Sequence, residues 1–307
     1  MLLKFNLAII LGLFFIFACQ NTEEKIEKLF QSAGKKTAEG NLQGAMQDYN
    51  EAIELDPNID VAYNNRGLLK EDLGDQQGAM QDYNKAIELA PNHGKNYYNR
   101  GGLKEELGDQ QGAMQDYNKA IELDPNYDLA YNNRASLKKA LGDKQGAMQD
   151  FNKAIELDPN YHTAYNNRGL LKQNLGDQQG AMQDYNKAIE INPNDGNTYY
   201  NRGTLKEKLG DQQGAIQDYD KAIELDSNIA KAYNNRGLLK QYLGDKEGAM
   251  QDYNKAIEIN PKSLDAYWNR GFLYKNTNNL EAACTDWRKA GELGVVEAYD
   301  LIKKYCR

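Results

Sequence analysis

The sequence is poor in the residues that build most catalytic and metal sites. Its 307 residues include two histidines and three cysteines, and the histidines, His93 and His162, stand far apart in the chain. No HExxH, CxxC, glycine-rich phosphate loop or Ser-His-Asp arrangement is present. Metal and nucleophilic catalysis therefore have no set of residues to act through, and we expect a non-enzymatic protein without metal or cofactor.

A basic patch is also missing. The chain carries 37 lysines and arginines against 45 acidic residues, a net charge of -8, and its basic residues alternate with acids. Nucleic-acid binding usually requires positive charge gathered on one face. We therefore exclude nucleic acid as the main partner.

Long apolar runs are absent apart from one near the start, Leu7 to Phe17. This run follows the single charge of Lys4, and it is too short for a comfortable membrane span but suits a secretory signal. The residues Ile16-Phe17-Ala18-Cys19 that end it resemble the lipobox of bacterial lipoproteins. The resemblance implies a signal peptide over 1–18 and lipidation of Cys19. The alternative is an ordinary signal peptide with an incidental cysteine.

A polar segment, 19–25, follows and would serve as a tether between the lipid and the folded part. Gln20 is not the aspartate that favours inner-membrane retention, so the outer membrane is favoured over the inner one. The Glu23-Glu24 pair resembles the acidic tags of surface-exported lipoproteins, although first-turn charges of a helix explain it equally well. We expect a protein of the bacterial cell envelope whose only membrane attachment is its N-terminal lipid.

Proline is scarce, but its placement is regular. A proline followed by asparagine returns every 34 residues, Ser227 takes its place once, and the period resumes at Pro261; the five regular positions are Pro57, Pro91, Pro125, Pro159 and Pro193. A fixed period of this length predicts a repeat array. Within one unit, Gly74 can end a helix in the left-handed conformation and Asp75 can cap the next helix. Each unit is therefore predicted to be a helical hairpin.

The residues that recur in each unit resemble those of the tetratricopeptide repeat (TPR): Tyr63, Gly67, Ala79, Tyr83, Ala86 and Pro91 in the first full unit. The resemblance implies an all-α, right-handed superhelical solenoid of stacked hairpins with a C-terminal capping helix. It also implies a scaffold that binds a protein or an extended peptide.

The period divides the chain into a degenerate N-terminal capping repeat, seven full units and a closing helix. The capping repeat covers 26–59, and the full units cover 60–93, 94–127, 128–161, 162–195, 196–229, 230–263 and 264–297. The closing helix covers 298–307. An open-ended stack needs such a helix to cover its last apolar face.

An arginine column and an aspartate column recur together. A guanidinium at a helix–helix seam needs a partner, so we predict structural ion pairs within each hairpin, such as Arg66 with Asp82, Arg100 with Asp116 and Arg134 with Asp150. The columns of Gln81, Asn84 and Lys85 are nearly constant too. We expect these to lie exposed on the outer face, where recent duplication is enough to explain their uniformity.

A third polar column consists of asparagines: Asn65, Asn99, Asn133, Asn167, Asn201, Asn235 and Asn269. By the family resemblance, this position faces the concave side, where a ladder of amides could bind an extended peptide backbone. The alternative is that these asparagines are repeat background or bond locally. Three columns beside them, which begin at Val61, Leu68 and Asp72, vary between units and are consistent with a tailored groove or with drift.

Aromatic residues replace Asn64 in three units, at Tyr98, Tyr200 and Trp268. They are candidate anchors for a peptide. Two other functions stay open: a module for cell-wall glycan, with the rings stacked on sugars, and a purely structural spacer. The remaining cysteines, Cys284 and Cys306, form either a disulfide or two half-buried thiols.

Overall fold

The computed structural model describes residues 22–306, which form seventeen helices joined by turns, without a strand in that range. The chain forms two compact units, the first ending at Leu157 and the second beginning at Asp158. None of the helices in the described range is long and apolar enough to cross a membrane. The predicted signal peptide and the lipidation site at Cys19 lie outside the described residues.

The first unit contains eight of the helices. They are α1 (22–38), α2 (Leu42–Leu55), α3 (Asp60–Asp72), α4 (Gln76–Leu89), α5 (Gly94–Glu106), α6 (Gln110–Leu123), α7 (Asp128–Ala140) and α8 (Lys144–Leu157). Each odd-numbered helix from α3 onward packs most extensively on the helix that follows it, which gives hairpins such as α3–α4.

The second unit contains three full hairpins, a fourth that departs from the pattern, and a short last helix. They are α9 (His162–Leu175), α10 (Gln178–Ile191), α11 (Gly196–Lys208), α12 (Gln212–Leu225), α13 (Ala230–Tyr242), α14 (Lys246–Ile259), α15 (Leu264–Asn276), α16 (Leu280–Glu292) and α17 (Ala298–Tyr305). In both units, the first helix of each full hairpin begins at the first residue of a 34-residue sequence unit.

In the six hairpins whose turn contains a glycine followed by an aspartate, the turn has the conformation that these two residues predict. Gly74 has φ of +81°, in the left-handed region that a residue without Cβ adopts at little cost. The side chain of Asp75 then accepts a hydrogen bond of 2.9 Å from the backbone N–H of Gly78. This bond satisfies one of the free amides at the start of α4.

The core of each hairpin is made of small residues around one large ring. In α4, Ala79, Tyr83 and Ala86 are fully buried. A Cβ placed on Gly67 of α3 would lie 2.6 Å from the Tyr83 ring, so the glycine allows the two helices to approach closely. The equivalent rings of the other full hairpins, including Phe151 and Trp287, are also fully buried.

Helix α1 begins at residue 22 and therefore includes 22–25, the last four residues of the predicted polar tether. Two ion pairs explain the earlier start. Glu24 contacts Lys28 one turn later at 2.6 Å, and Lys25 reaches Glu51 of α2 at 2.7 Å. Glutamate in the first turn also complements the positive end of the helix dipole.

The closing helix α17 covers the end of the second unit. Leu301, Ile302 and Tyr305 pack against a cluster around the fully buried Trp287. A disulfide joins Cys284 of α16 to Cys306, which directly follows α17. The helix is therefore attached to the last hairpin both by apolar contact and by a covalent bond.

Candidate functional site

The arginine and aspartate columns meet inside each hairpin. Arg66 Nε donates to Asp82 Oδ2 at 2.8 Å and Nη2 donates to Oδ1 at 2.6 Å, which is a bidentate pair. Asp82 is only 4% exposed, and this hydrogen bond raises the pKa of Arg66. The same two contacts occur at Arg100–Asp116, Arg134–Asp150, Arg168–Asp184, Arg202–Asp218, Arg236–Asp252 and Arg270–Asp286. These residues are thus engaged with one another.

Two further partners of this pair were not foreseen from the sequence. Lys70 Nζ lies 2.8 Å from Asp82 Oδ2, so the carboxylate holds two cations. The third donor of the arginine, Nη1 of Arg66, bonds to Asn50 Oδ1 of the preceding hairpin at 2.7 Å. The Asn84 column, which we expected to lie exposed, therefore also has a structural role, because Asn84 in turn accepts a hydrogen bond from Arg100 at 2.8 Å. The sequence signal that could have indicated these partners is the recurrence of lysine at the Lys70 position and of asparagine at the Asn84 position in most units.

The asparagine ladder is bonded to neighbouring hairpins. In six of the seven asparagines, Nδ2 donates a hydrogen bond to an oxygen of the preceding hairpin. The pairs are Asn65 with Tyr49 Oη (3.4 Å), Asn99 with Asn64 Oδ1 (2.9 Å), Asn133 with Tyr98 Oη (3.2 Å), Asn201 with Asn166 Oδ1 (2.9 Å), Asn235 with Tyr219 Oη (3.4 Å) and Asn269 with Asn234 Oδ1 (3.0 Å). Asn167 is also engaged. These bonds tie successive hairpins together along one face of each unit.

The three aromatic positions of this face are half-buried. The ring of Tyr98 packs on those of Tyr117 and Tyr127, with centroids 6.1 Å and 4.9 Å away. Burial raises the pKa of its phenol. In the second unit, Tyr200 packs on Tyr219 at 6.0 Å and Trp268 meets Phe272 edge-on at 4.8 Å. The rings therefore have much of their surface covered by the protein itself.

A cavity of about 490 Å³ opens on this face in the first unit. It is lined by Gly34 and Thr37 of α1, Tyr49 of α2, and Asn65, Leu68, Leu69, Glu71 and Asp72 of α3. Asn65 belongs to the ladder, and Leu68 and Asp72 belong to two of the variable columns. The structure thus brings the ladder and the variable columns to one opening.

The carboxyl group of Glu71 sits at the edge of this cavity and accepts a hydrogen bond from the hydroxyl of Tyr83. Burial raises the pKa of Glu71, and the negative charges of Glu106 and Asp72 raise it further, against the effect of the Tyr83 hydrogen bond. Burial and the same hydrogen bond raise the pKa of Tyr83. The cavity edge therefore carries crowded negative charge.

The Tyr83–Glu71 contact recurs, and it shows a covariation that the sequence contained. Tyr117 donates to Glu105 at 2.8 Å and Tyr185 donates to Gln173 at 2.8 Å. In the third full unit the acceptor position holds Lys139, and the ring beside it is Phe151, which has no hydroxyl. The two positions change together because a tyrosine hydroxyl buried there needs an acceptor.

Among residues 22–306, no group of three or more His, Cys, Asp and Glu side chains is placed to hold a metal ion. Hairpins held by constant, internally bonded columns, with one variable face, define a helical-repeat scaffold. Models described as tetratricopeptide repeat match 61–93, 162–195, 196–229, 230–263 and 252–285, and one described as TPR repeat matches 36–74, 103–142 and 137–176. The chain belongs to the tetratricopeptide repeat family.

Solved structures share this fold at low sequence identity. The chain is similar to one in the APC/C hetero-tetramer Cut9-Hcn1, with a TM-score of 0.72 and 16% identity over 87% of this chain and 53% of the other. It thus spans about half the length of that chain. A tetratricopeptide repeat protein from Parabacteroides merdae has a TM-score of 0.60 and 24% identity over 85% and 99% of the two chains.

Pseudomonas aeruginosa pilF has a TM-score of 0.61 and 20% identity over 67% of this chain and 94% of its own. No curated protein matches the sequence. These likenesses show the fold alone, an all-α tetratricopeptide solenoid. Such repeats are typically non-catalytic scaffolds for protein–protein interaction, and the family membership supports that role for this chain.

Proposed function

We propose that this protein binds an extended segment of a partner protein along one face, here called the groove face. The groove face consists of the asparagine ladder and the variable columns that begin at Val61, Leu68 and Asp72. The observation that carries the proposal is the cavity of the first unit, where Asn65, Leu68 and Asp72 line one opening. A protein side chain fits a recess of this size and mixed lining.

In this proposal, the side chains of the variable columns contact the partner. Leu68 is 37% exposed and Tyr242, which belongs to the column that begins at Asp72, is 76% exposed, although both are large and largely apolar. The ladder asparagines donate hydrogen bonds to neighbouring hairpins, so we assign them a structural role in supporting the variable side chains beside them. Selectivity then comes from residues that differ between units, as a scaffold for one particular segment requires.

A glycan would need aromatic ring faces free to stack on sugars. Tyr98, Tyr200 and Trp268 are half-buried and pack on other rings. This packing favours a protein segment over the glycan alternative.

Site-specific crosslinking in cells tests the assignment. A photoreactive residue replaces Leu68 in one variant and Tyr242 in another, with Gln81 and Gln251 on the outer face as matched exposed controls. We expect protein adducts from the groove-face positions and few from the controls. Equal adducts at all four positions would contradict the groove face, and a spacer would give none.

We further propose that the chain is lipidated at Cys19 and resides in the bacterial cell envelope, at the outer membrane and with its folded part exposed. The sequence around Cys19 motivates the anchor, and the Cys284–Cys306 disulfide supports an oxidising compartment. Cys19→Ser should move the protein from the membrane fraction to the soluble fraction, whereas Cys306→Ser should leave it with the membrane. If Cys19→Ser stays membrane-bound, the anchor proposal fails.

A further inference from the structure

Small residues of the N-terminal hairpin create the cavity of the groove face. Gly34 and Thr37 of α1 stand where the next hairpin carries Leu68 and Glu71. Because they fill less space, a recess opens beside α3, and its wall includes the apolar side chains of Leu68 and Leu69. Such a wall suits the aliphatic part of a long side chain.

Carboxylates follow this recess along two successive hairpins of the first unit. They are Glu71 and Asp72 at the end of α3 and Glu105 and Glu106 at the end of α5. No ion pair involves any of these four within the part of the chain that the structure describes. Their partners are neutral: Tyr83 donates to Glu71, Tyr117 to Glu105, and Gln76 to Glu106.

Acidic residues on the outer face, in contrast, form ion pairs. Glu88 is 2.7 Å from Lys85, and Glu122 is 2.7 Å from Lys119. A lysine three residues earlier thus neutralises these exposed acids, as helical spacing allows. The groove-face acids have no such lysine in reach.

The lysines closest in sequence to these four groove-face carboxylates already form ion pairs with other residues. Lys70 lies 2.8 Å from Asp82, and Lys104 lies 2.7 Å from Asp116. Both of these aspartates are buried, so releasing either lysine would remove one of the two cations that compensate a buried carboxylate. The chain therefore cannot neutralise the groove-face acids with these cations.

We propose that the partner segment is basic: an extended stretch whose lysine or arginine side chains lay their stems on Leu68 and place their charges among the four carboxylates. This proposal rests on the groove face as the binding site and adds the chemistry of the partner. It also explains the crowded negative charge at the cavity edge, which a bound cation would relieve. The acidic stretch ends in the next hairpin, where Lys139 and Ala140 take the equivalent positions.

A peptide of alternating lysine and alanine, about twelve residues long and fluorescently labelled, is the probe. Its binding to the whole protein is measured by fluorescence anisotropy at low and at physiological salt, beside a peptide with glutamate in place of lysine. The test variant is Asp72→Lys with Glu106→Lys, because both side chains are exposed. The matched control is Glu88→Lys with Glu122→Lys, which changes the net charge equally on the outer face.

The lysine peptide should bind, more weakly as salt rises, and the glutamate peptide should not. The test variant should weaken binding about tenfold, since it removes two exposed charge pairs with the peptide and the reversed charges repel it. The control should change binding less than twofold. Circular dichroism melting shows that both variants fold.

Three results would overturn the basic partner: no binding of the lysine peptide, equal weakening by both double variants, or tighter binding of the glutamate peptide. The crosslinking at Leu68 separates this failure from failure of the groove face. Adducts at Leu68 together with an inactive lysine peptide would reject the charge rule and keep the binding site. An absence of adducts at both Leu68 and Tyr242 would reject the binding site itself.

Discussion

At the residue scale, each hairpin depends on one buried aspartate that serves three helices. Asp116 of α6 holds Arg100 and Lys104 of α5, and Arg100 also reaches Asn84 of α4. A carboxylate that is 4% exposed would be costly to bury alone, but here all of its bonds are charge-assisted. The aspartate therefore fixes how the two helices of the hairpin meet, and the arginine extends that order to the preceding hairpin.

The Asp116→Asn substitution should be strongly destabilising. It leaves Arg100 and Lys104 facing a neutral amide, and breaking a buried pair by removing one partner costs about 3–5 kcal/mol. Asn118→Ala on the same helix removes an exposed acceptor of Arg134 and should cost about 1 kcal/mol or less. Urea unfolding followed by circular dichroism measures both. Similar losses for the two variants would mean that the aspartate is not the organising residue.

A second residue-scale feature is pH-dependent. Asp60 Oδ2 lies 2.7 Å from His93 Nδ1 and accepts from Asn96 Nδ2 at 3.0 Å, and in the second unit His162 and Asp195 exchange these positions at 3.9 Å. Burial alone would raise the pKa of Asp60, but the hydrogen bonds from His93 and Asn96 and the charge of His93 outweigh it and lower the pKa.

A lowered folded-state pKa stabilises the protein above the unfolded-state pKa of about 3.9, and this contribution is lost as pH falls through the folded-state value. We expect the unfolding free-energy difference between the wild type and Asp60→Asn to be constant near pH 5 and to shrink below about pH 4. Urea unfolding at pH 3 to 5 measures it. Asp128→Asn, where Tyr161 stands in place of the histidine, is the control. A difference that stays flat down to pH 3 would contradict the prediction.

The arginine and aspartate columns could be paired from the sequence because both recur in every full unit and a buried charge needs a partner. Lys70 and Asn84 could not be assigned, since an exposed lysine or asparagine in a helix needs no partner and duplication alone explains a constant column. The cavity was also out of reach. It depends on Gly34 and Thr37 standing opposite α3, and only the packed structure sets side-chain volumes against each other.

At the scale of the element, the turns of the full hairpins share one design with a single exception. Six turns place a glycine at positive φ before a capping aspartate, and the last hairpin instead has Asn278 at φ of +59°, followed by Asn279. The side chain of Asn279 still caps α16 by accepting from Ala282 at 3.2 Å. The helix start is thus preserved, while the left-handed position holds a residue with a Cβ.

Asn278→Gly should therefore stabilise the last hairpin. A left-handed conformation costs an L-residue about 1–2 kcal/mol and asparagine less, and the added freedom of glycine in the unfolded chain offsets part of the gain. We expect a net gain of about 0.5 kcal/mol, seen as slower amide hydrogen exchange in α15 and α16. Gly244→Asn, at φ of +91°, is the reciprocal control and should destabilise its own hairpin. A loss of protection in Asn278→Gly would refute this account.

The starts of the helices could be predicted from the sequence only in part. The start of each full hairpin follows from the 34-residue period, because packing keeps the spacing even where Ser227 replaces proline. The start of α1 did not follow, since it depends on the contact between Lys25 and Glu51, two residues that the period does not relate. Periodicity therefore predicts the boundaries of the repeated hairpins, but it does not predict the ends of the array, which are not repeated.

At the scale of the whole molecule, a repeat array is stabilised by contacts between neighbours, so its ends have fewer of them. The C-terminal end compensates with α17 and with the disulfide between Cys284 and Cys306, which closes a loop over a sequence separation of 22. Closing a loop of this length is worth about 3 kcal/mol in the chain-entropy account. That is comparable to the full burial of one or two large apolar side chains of this eight-residue helix.

Reduction of the disulfide should therefore loosen the end of the second unit and leave the first unit as it is. Without the bond, α17 should detach part of the time and expose Trp287, whose ring lies 6.1 Å from that of Tyr305. We expect faster amide hydrogen exchange in α16 and α17 and a red shift of tryptophan fluorescence. Cys306→Ser should reproduce both effects without reductant, and exchange in α3 to α8 should not change. Unaltered exchange in α17 after reduction would show that apolar packing alone holds the helix.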